Sequence, residues 1–217
     1  MNIEKALNIA FALSIITITY NIIEGLFAVA FGMEDETLAL LGFGVDSFVE
    51  VISGLGIAHM IWRMKSGGGE HTDRFEKQAL RITGISFYLL TAGLVAGAAL
   101  NFIRNNQPET TVVGIIISAI SILTMFFLMK YKLKIGRFLN SDAIIADANC
   151  TRSCFYLSII LLTSSGLYEI FHIGYIDTIG SLGIAWFAFS EGKEAFEKAS
   201  SESLNCCGSS CQYTPDD

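Results

Sequence analysis

The sequence predicts an all-α membrane protein, a bundle of six transmembrane helices with both termini on the cytoplasmic side. Composition, apolar run length and the placement of basic residues carry that prediction. Of 217 residues, 52% are hydrophobic and 16% charged, with only two prolines; a soluble domain carries about a quarter charged residues. Mean hydropathy is +0.53. Six runs of roughly the 20 residues needed to cross a hydrocarbon core lie near 8–32, 38–62, 78–103, 112–130, 142–168 and 174–192. With the N-terminus inside, twelve of the fourteen Lys and Arg residues fall in inner segments, as expected of basic loops that remain cytoplasmic. The exceptions are Arg104 in an outer loop and Arg152 within the fifth helix.

The first run follows Lys5 and is too long, and too poor in a small-residue cleavage site, for a signal peptide. Within it, Asn21 and Glu24 share a face at a spacing of three. Glu24 is either a third intramembrane acid or a residue near the outer end that reaches water. The acidic MEDET loop at 33–37 reads as a vestibule or as a solvated turn. The second run, LLGFGVDSFVEVISGLGIA, sets Asp46 and Glu50 four apart in apolar surroundings, an expensive place for a carboxylate that is neither paired nor coordinated. Gly67, Gly68 and Gly69 then mark a flexible inner loop, whose His71 reads as solvated rather than as a ligand.

The third and fourth runs lack ionisable residues at their centres. Gly93, Gly97, Ala98 and Ala99 suggest close helix contacts, so these helices read as scaffold or subunit contact. The connection KYKLKIGRFLN is basic and amphipathic, suited to lying along anionic headgroups of the membrane lipid. The fifth run carries Asp147, Cys150 and Cys154 at spacings of three and four, on one face of a helix. Asp177 opens the sixth and reads as its N-cap.

Charge and cysteine usage bound the partners. A net charge of −7 and a pI near 5.0 argue against nucleic acid, which demands a concentrated basic surface. The five cysteines, Cys150, Cys154, Cys206, Cys207 and Cys211, avoid the predicted outer loops and read as reduced thiols rather than a disulfide framework.

Asp46 and Glu50 on one helix with Cys150 and Cys154 on another make a candidate four-ligand metal site. Mixed sulfur and oxygen suits a tetrahedral borderline or soft ion such as zinc or cadmium, whereas calcium and magnesium want six or more oxygens. Asp147, Glu24 and Asn21 are candidate pathway residues. Four anionic ligands in a low dielectric cannot all stay ionised without a cation, so metal entry would release protons and reprotonation would expel metal. If the site faces the two sides alternately, that linkage is metal/proton antiport.

The same residues resemble the cation diffusion facilitator family. GFGVDSFVE is similar to its second-helix motif, an Asp or His followed four residues later by Asp. LNSDAIIADANCTRSC resembles its fifth-helix motif, Ala-Asp-Ala-x-His-x-x-x-Asp, matching at Ala146, Asp147 and Ala148. DTIGSLGIA resembles the opening of its sixth helix. The likeness covers about residues 8–195 and implies a proton-driven efflux transporter of divalent transition metals, usually zinc, working as a homodimer. Asp46 and Glu50 take the second-helix ligand positions; Cys150 stands where the family has His, and Cys154 where it has Asp. These departures soften the site, bringing mercury and copper into consideration, and remove the family's proton-linked histidine.

The expected organisation is a transport domain over 1–195 and a short, flexible cytoplasmic tail over 196–217, without the family's C-terminal cytoplasmic domain. Any dimer would then form through the helices. Cys206, Cys207 and Cys211 read as a soft-metal capture site or as a disordered end. No cofactor is expected beyond the transported or bound metal, and a bacterial inner membrane is the expected location. A competing reading is a membrane-embedded metal-binding regulatory protein with a degenerate transport site. A membrane enzyme lacks support, because there is no Ser/His/Asp set and no base beside Cys150 on its helix.

Overall fold

Every apolar run is helical, and neither proline, Pro108 or Pro215, falls within a described helix to break one. The computed structural model describes residues 3–34, 37–65, 73–104, 111–139, 142–173 and 175–200, with Cys150 described by its backbone alone. The six helices are α1 (Ile3–Glu34), α2 (Leu38–Lys65), α3 (Asp73–Arg104), α4 (Val112–Leu139), α5 (Asp142–Phe171) and α6 (Tyr175–Ser200). Connections of two to seven residues leave consecutive helices to run antiparallel. The closest pairings are α1 on α2, α3 on α6 and α4 on α5, and α2 also touches α3, α5 and α6. α2 is thus the central helix.

The bundle carries an inner stripe of polar side chains beside its apolar core, and an apolar skin outside. Buried positions recur at alternating intervals of three and four on three helices: Ala10, Ser14, Thr17, Asn21, Glu24 and Ala28 on α1; Ser118, Ser121, Met125, Leu128, Lys132 and Ile135 on α4; Asp147, Thr151, Cys154, Ser158, Leu161 and Ser165 on α5. The outward faces carry large apolar side chains, with Ile103 78% and Trp186 74% exposed. That arrangement costs free energy in water and suits lipid, where polar groups must find partners inside the protein. Five helices, α1 to α5, are long and apolar enough to cross a membrane. α6 falls below that measure, because Asp177, Thr178, Gly180, Ser181 and Glu191 dilute its apolar content.

Glycines let α1 and α2 meet backbone to backbone. A Cβ on Gly32 would lie 2.6 Å from the Leu41 amide nitrogen, and one on Gly44 would lie 2.7 Å from that of Val29. The main apolar core, around Phe43, Leu94, Leu157, Leu161 and Ile184, joins α2, α3, α5 and α6. A smaller cluster of Ala10, Ile61, Ile135 and Ile144 closes the other end.

Two expectations need correcting. The basic segment after residue 130 is not a separate interfacial element, because α4 continues unbroken to Leu139 and buries Lys132 in the bundle. On α4, Ser121 accepts a hydrogen bond from Ser158 Oγ at 2.8 Å, which joins it to α5. Asp177 caps a different helix from its own. It lies inside the first turn of α6, and its carboxylate accepts from the amides of Leu38 at 3.0 Å and Ala39 at 3.3 Å, the orphan donors that open α2. On α3 the small residues divide: Gly97 packs on Leu38 and Ala98 is buried, while Gly93 faces open space.

Candidate functional site

The periodic stripe of α1 turns Asn21 and Glu24 toward α2, where Asp46, Ser47 and Glu50 lie within little more than one turn. Glu50 stands 12 residues from the start of α2, about 18 Å along its axis. Asn21 lies 13 residues before the adjacent end of α1, at a matching depth of about 20 Å. The acids therefore meet deep within the bundle, and Glu24 does not reach water at the end of its helix.

Polar contacts tie three helices together here. Asn21 Nδ2 donates to Glu50 Oε2 at 2.9 Å. The Cys154 thiol on α5 lies close enough to the Glu50 carboxylate to interact with it. Glu24 accepts from Tyr20 OH at 2.8 Å through Oε1 and from Ser47 Oγ at 3.2 Å through Oε2. Asp46 is 2% exposed, and its Oδ1 has no hydrogen-bond partner among the described residues; the same holds for Asn21 Oδ1. Asp46 stands near enough to Glu50, Glu191 and Glu24 to feel their charges.

Of the predicted ligand set, Glu50 and Cys154 are brought together with Asp46 nearby. The Cys150 side chain lies outside the described residues. Among the described residues, no three His, Cys, Asp or Glu side chains are gathered closely enough to hold a metal ion. Glu50 is directed at Asn21 and Cys154 instead. The tail cysteines Cys206, Cys207 and Cys211, and His71, also lie outside the described residues.

Asp147 shares the buried stripe of α5 with Cys154 but sits seven residues, about 10.5 Å, before it. It is ion-paired: Lys132 Nζ of α4 lies 2.9 Å from its Oδ2 and donates to Thr151 Oγ1 at 3.0 Å. This pair is absent from the sequence reading, although Lys132 falls in register with Met125, Leu128 and Ile135. Glu191 of α6 was also missed; its Oε1 accepts from Ser153 Oγ at 2.8 Å.

A bundle with a lipid-facing skin and carboxylates buried at mid-depth is the architecture of a membrane protein that handles cations. The chain matches the cation efflux transmembrane domain over residues 9–202, and it belongs to the cation efflux family. It is also similar to an uncharacterized transporter of Methanocaldococcus jannaschii, with 26% identity over 175 residues, 79% of this chain. The chain spans 62% of that relative's length at the match.

Proposed function

We propose that the protein exports divalent transition metals, zinc or cadmium and the softer mercuric or copper ions, by metal/proton antiport through alternating access. The observation that supports this reading most is the approach of Cys154 on α5 to Glu50 on α2, with Asp46 one turn away, in the buried centre of a cation efflux domain. Asp46, Glu50, Cys150 and Cys154 are the proposed ligands. The metal is cargo, and no cofactor is invoked. Cation entry would draw Glu50 and Cys154 from each other, displacing any proton held between them, and protons returning from the other side would release the cation.

The tail residues Cys206, Cys207 and Cys211 are proposed to capture soft metal. A homodimer is proposed to form through the helices. The proposed location is a bacterial plasma membrane. One observation favours a second reading, a regulatory metal binder with a degenerate transport site: the described acids and Cys154 are not gathered into a ready three-donor cluster.

Uptake of zinc, cadmium and mercuric ions by inside-out proteoliposomes, with and without a proton gradient, tests the proposal. Gradient-dependent uptake that Asp46→Ala and Cys154→Ala each abolish supports transport at this site. Binding without uptake, in oriented and folded protein, supports the regulatory reading. Full activity of Asp46→Ala refutes the site.

A further inference from the structure

Asn21 occupies an unusual position for an amide. It is 0% exposed, it lies on the one helix of the site to which no metal ligand has been assigned, and it touches Glu50 directly. Its nitrogen is used and its oxygen is not, for Oδ1 has no donor among the described residues. A buried carbonyl oxygen without a partner costs free energy, so such a group calls for an explanation. Turning the amide over does not remove the difficulty, because Oδ1 would then face the Glu50 carboxylate oxygen, acceptor against acceptor. A cation or a proton between them would make that orientation favourable. The second unpartnered buried oxygen in the same cluster belongs to Asp46.

We propose that Asn21 is a specificity-determining ligand, whose side-chain oxygen joins Asp46, Glu50 and Cys154 around the cation. This rests on the metal site of the preceding section. The terminal torsion of Asn is broad and two-fold, so a cation arriving at Glu50 needs only a rotation of the amide to exchange the Nδ2 donor for the Oδ1 ligand. Without a cation, the same amide holds Glu50 in place by donating to it. A neutral oxygen adds a ligand without adding negative charge, which moderates the electrostatic hold on the ion. Being hard, it also offsets the preference of Cys154 for thiophilic ions. With this amide the site retains manganese and zinc despite its thiolate; without it the site favours cadmium.

The test is binding of manganese, zinc and cadmium ions, each measured separately by titration calorimetry on the purified full chain in detergent, for the parent, Asn21→Leu and Asn21→Asp. Asn21→Leu removes both the donor and the oxygen, while Asn21→Asp removes the N–H donor and keeps an oxygen. The expected result is that Asn21→Leu weakens manganese and zinc about tenfold and cadmium by about threefold at most, while Asn21→Asp, which keeps an oxygen and adds a negative charge, binds all three at least as tightly as the parent. Should Asn21→Leu not purify as a monodisperse helical protein, Asn21→Ala takes its place with the same expectation. Equal losses for all three ions in both variants would overturn the proposal, because that is the signature of an N–H donor that only positions Glu50. Unchanged affinities in Asn21→Leu would overturn it as well. A parent protein that binds none of the three ions would overturn the metal site itself, an outcome distinct from either.

Discussion

Replacing Asp147 by Ala should destabilise the bundle by about 3–5 kcal/mol, the usual loss when one partner of a buried ion pair is removed. The structure places this pair at the severe end of its class. Lys132 Nζ and Asp147 Oδ2 are 2.9 Å apart, and the two side chains are only 1% and 8% exposed. At an effective dielectric of about 20, two unit charges at that distance attract by roughly 6 kcal/mol, most of which offsets the cost of withdrawing both from water. In Asp147→Ala the desolvation of Lys132 persists and the attraction is gone. Among the described residues, the Thr151 hydroxyl, 3.0 Å away, is what remains to it. The double variant Lys132→Met/Asp147→Leu removes both charges, and its stability should return to within about 1 kcal/mol of the parent or exceed it. Reversible unfolding in mixed micelles, followed by circular dichroism, measures all three. A single variant within about 1 kcal/mol of the parent, or a double variant as unstable as Asp147→Ala, would refute the reasoning.

Gly44→Ala should cost about 1–3 kcal/mol by overpacking, since its Cβ would meet the Val29 amide at 2.7 Å and the Ala28 Cβ at 2.9 Å; Gly93→Ala, facing open space, should be near neutral, and equal melting temperatures for the two would sink the argument. Asp177→Ala should cost about 0.5–2 kcal/mol by uncapping α2 and speed amide exchange at Leu38 and Ala39; unchanged exchange at both would show that the cap contributes nothing. Glu191→Gln should weaken cation binding by on the order of 1 kcal/mol, near fivefold in Kd, because it removes a negative charge that acts on Asp46; an unaltered Kd would exclude Glu191 from the electrostatics of the site.

The helices were legible because lipid simplifies the code. Where neither face of a helix meets water, spans announce themselves as continuous apolar runs, and all six runs became helices, with α4 and α6 running nine and eight residues past their expected ends. What the runs hide is where a helix stops being a span. The lysines after residue 130 read as an interfacial segment because charge usually marks the edge of lipid. In the structure Lys130 and Lys134 are exposed while Lys132 between them is buried. The spacing of three and four from Met125 through Leu128 to Lys132 and Ile135 was there to be read, and it outranks local composition, since a helix presents faces rather than neighbours along the chain.

The site shows the complementary difficulty. Asp46 and Glu50 stood out because an isolated carboxylate in an apolar run has few bland explanations. Asn21 was marked only by sharing a face with Glu24, and Ser47 gave no signal, although both decide where those carboxylates point. Which donor meets which acceptor depends on the rotation of α1 against α2, and that rotation is set by the close approach at Gly32 and Gly44. Glycine thus fixes the polar chemistry here by having no side chain: moving α1 outward by the width of one methyl group would separate Asn21 from Glu50 and Ser47 from Glu24 together. The two hydrogen bonds, at 2.9 Å and 3.2 Å, have no slack for such a shift. The carboxylates were visible as residues, but their partners exist only as a consequence of packing between helices.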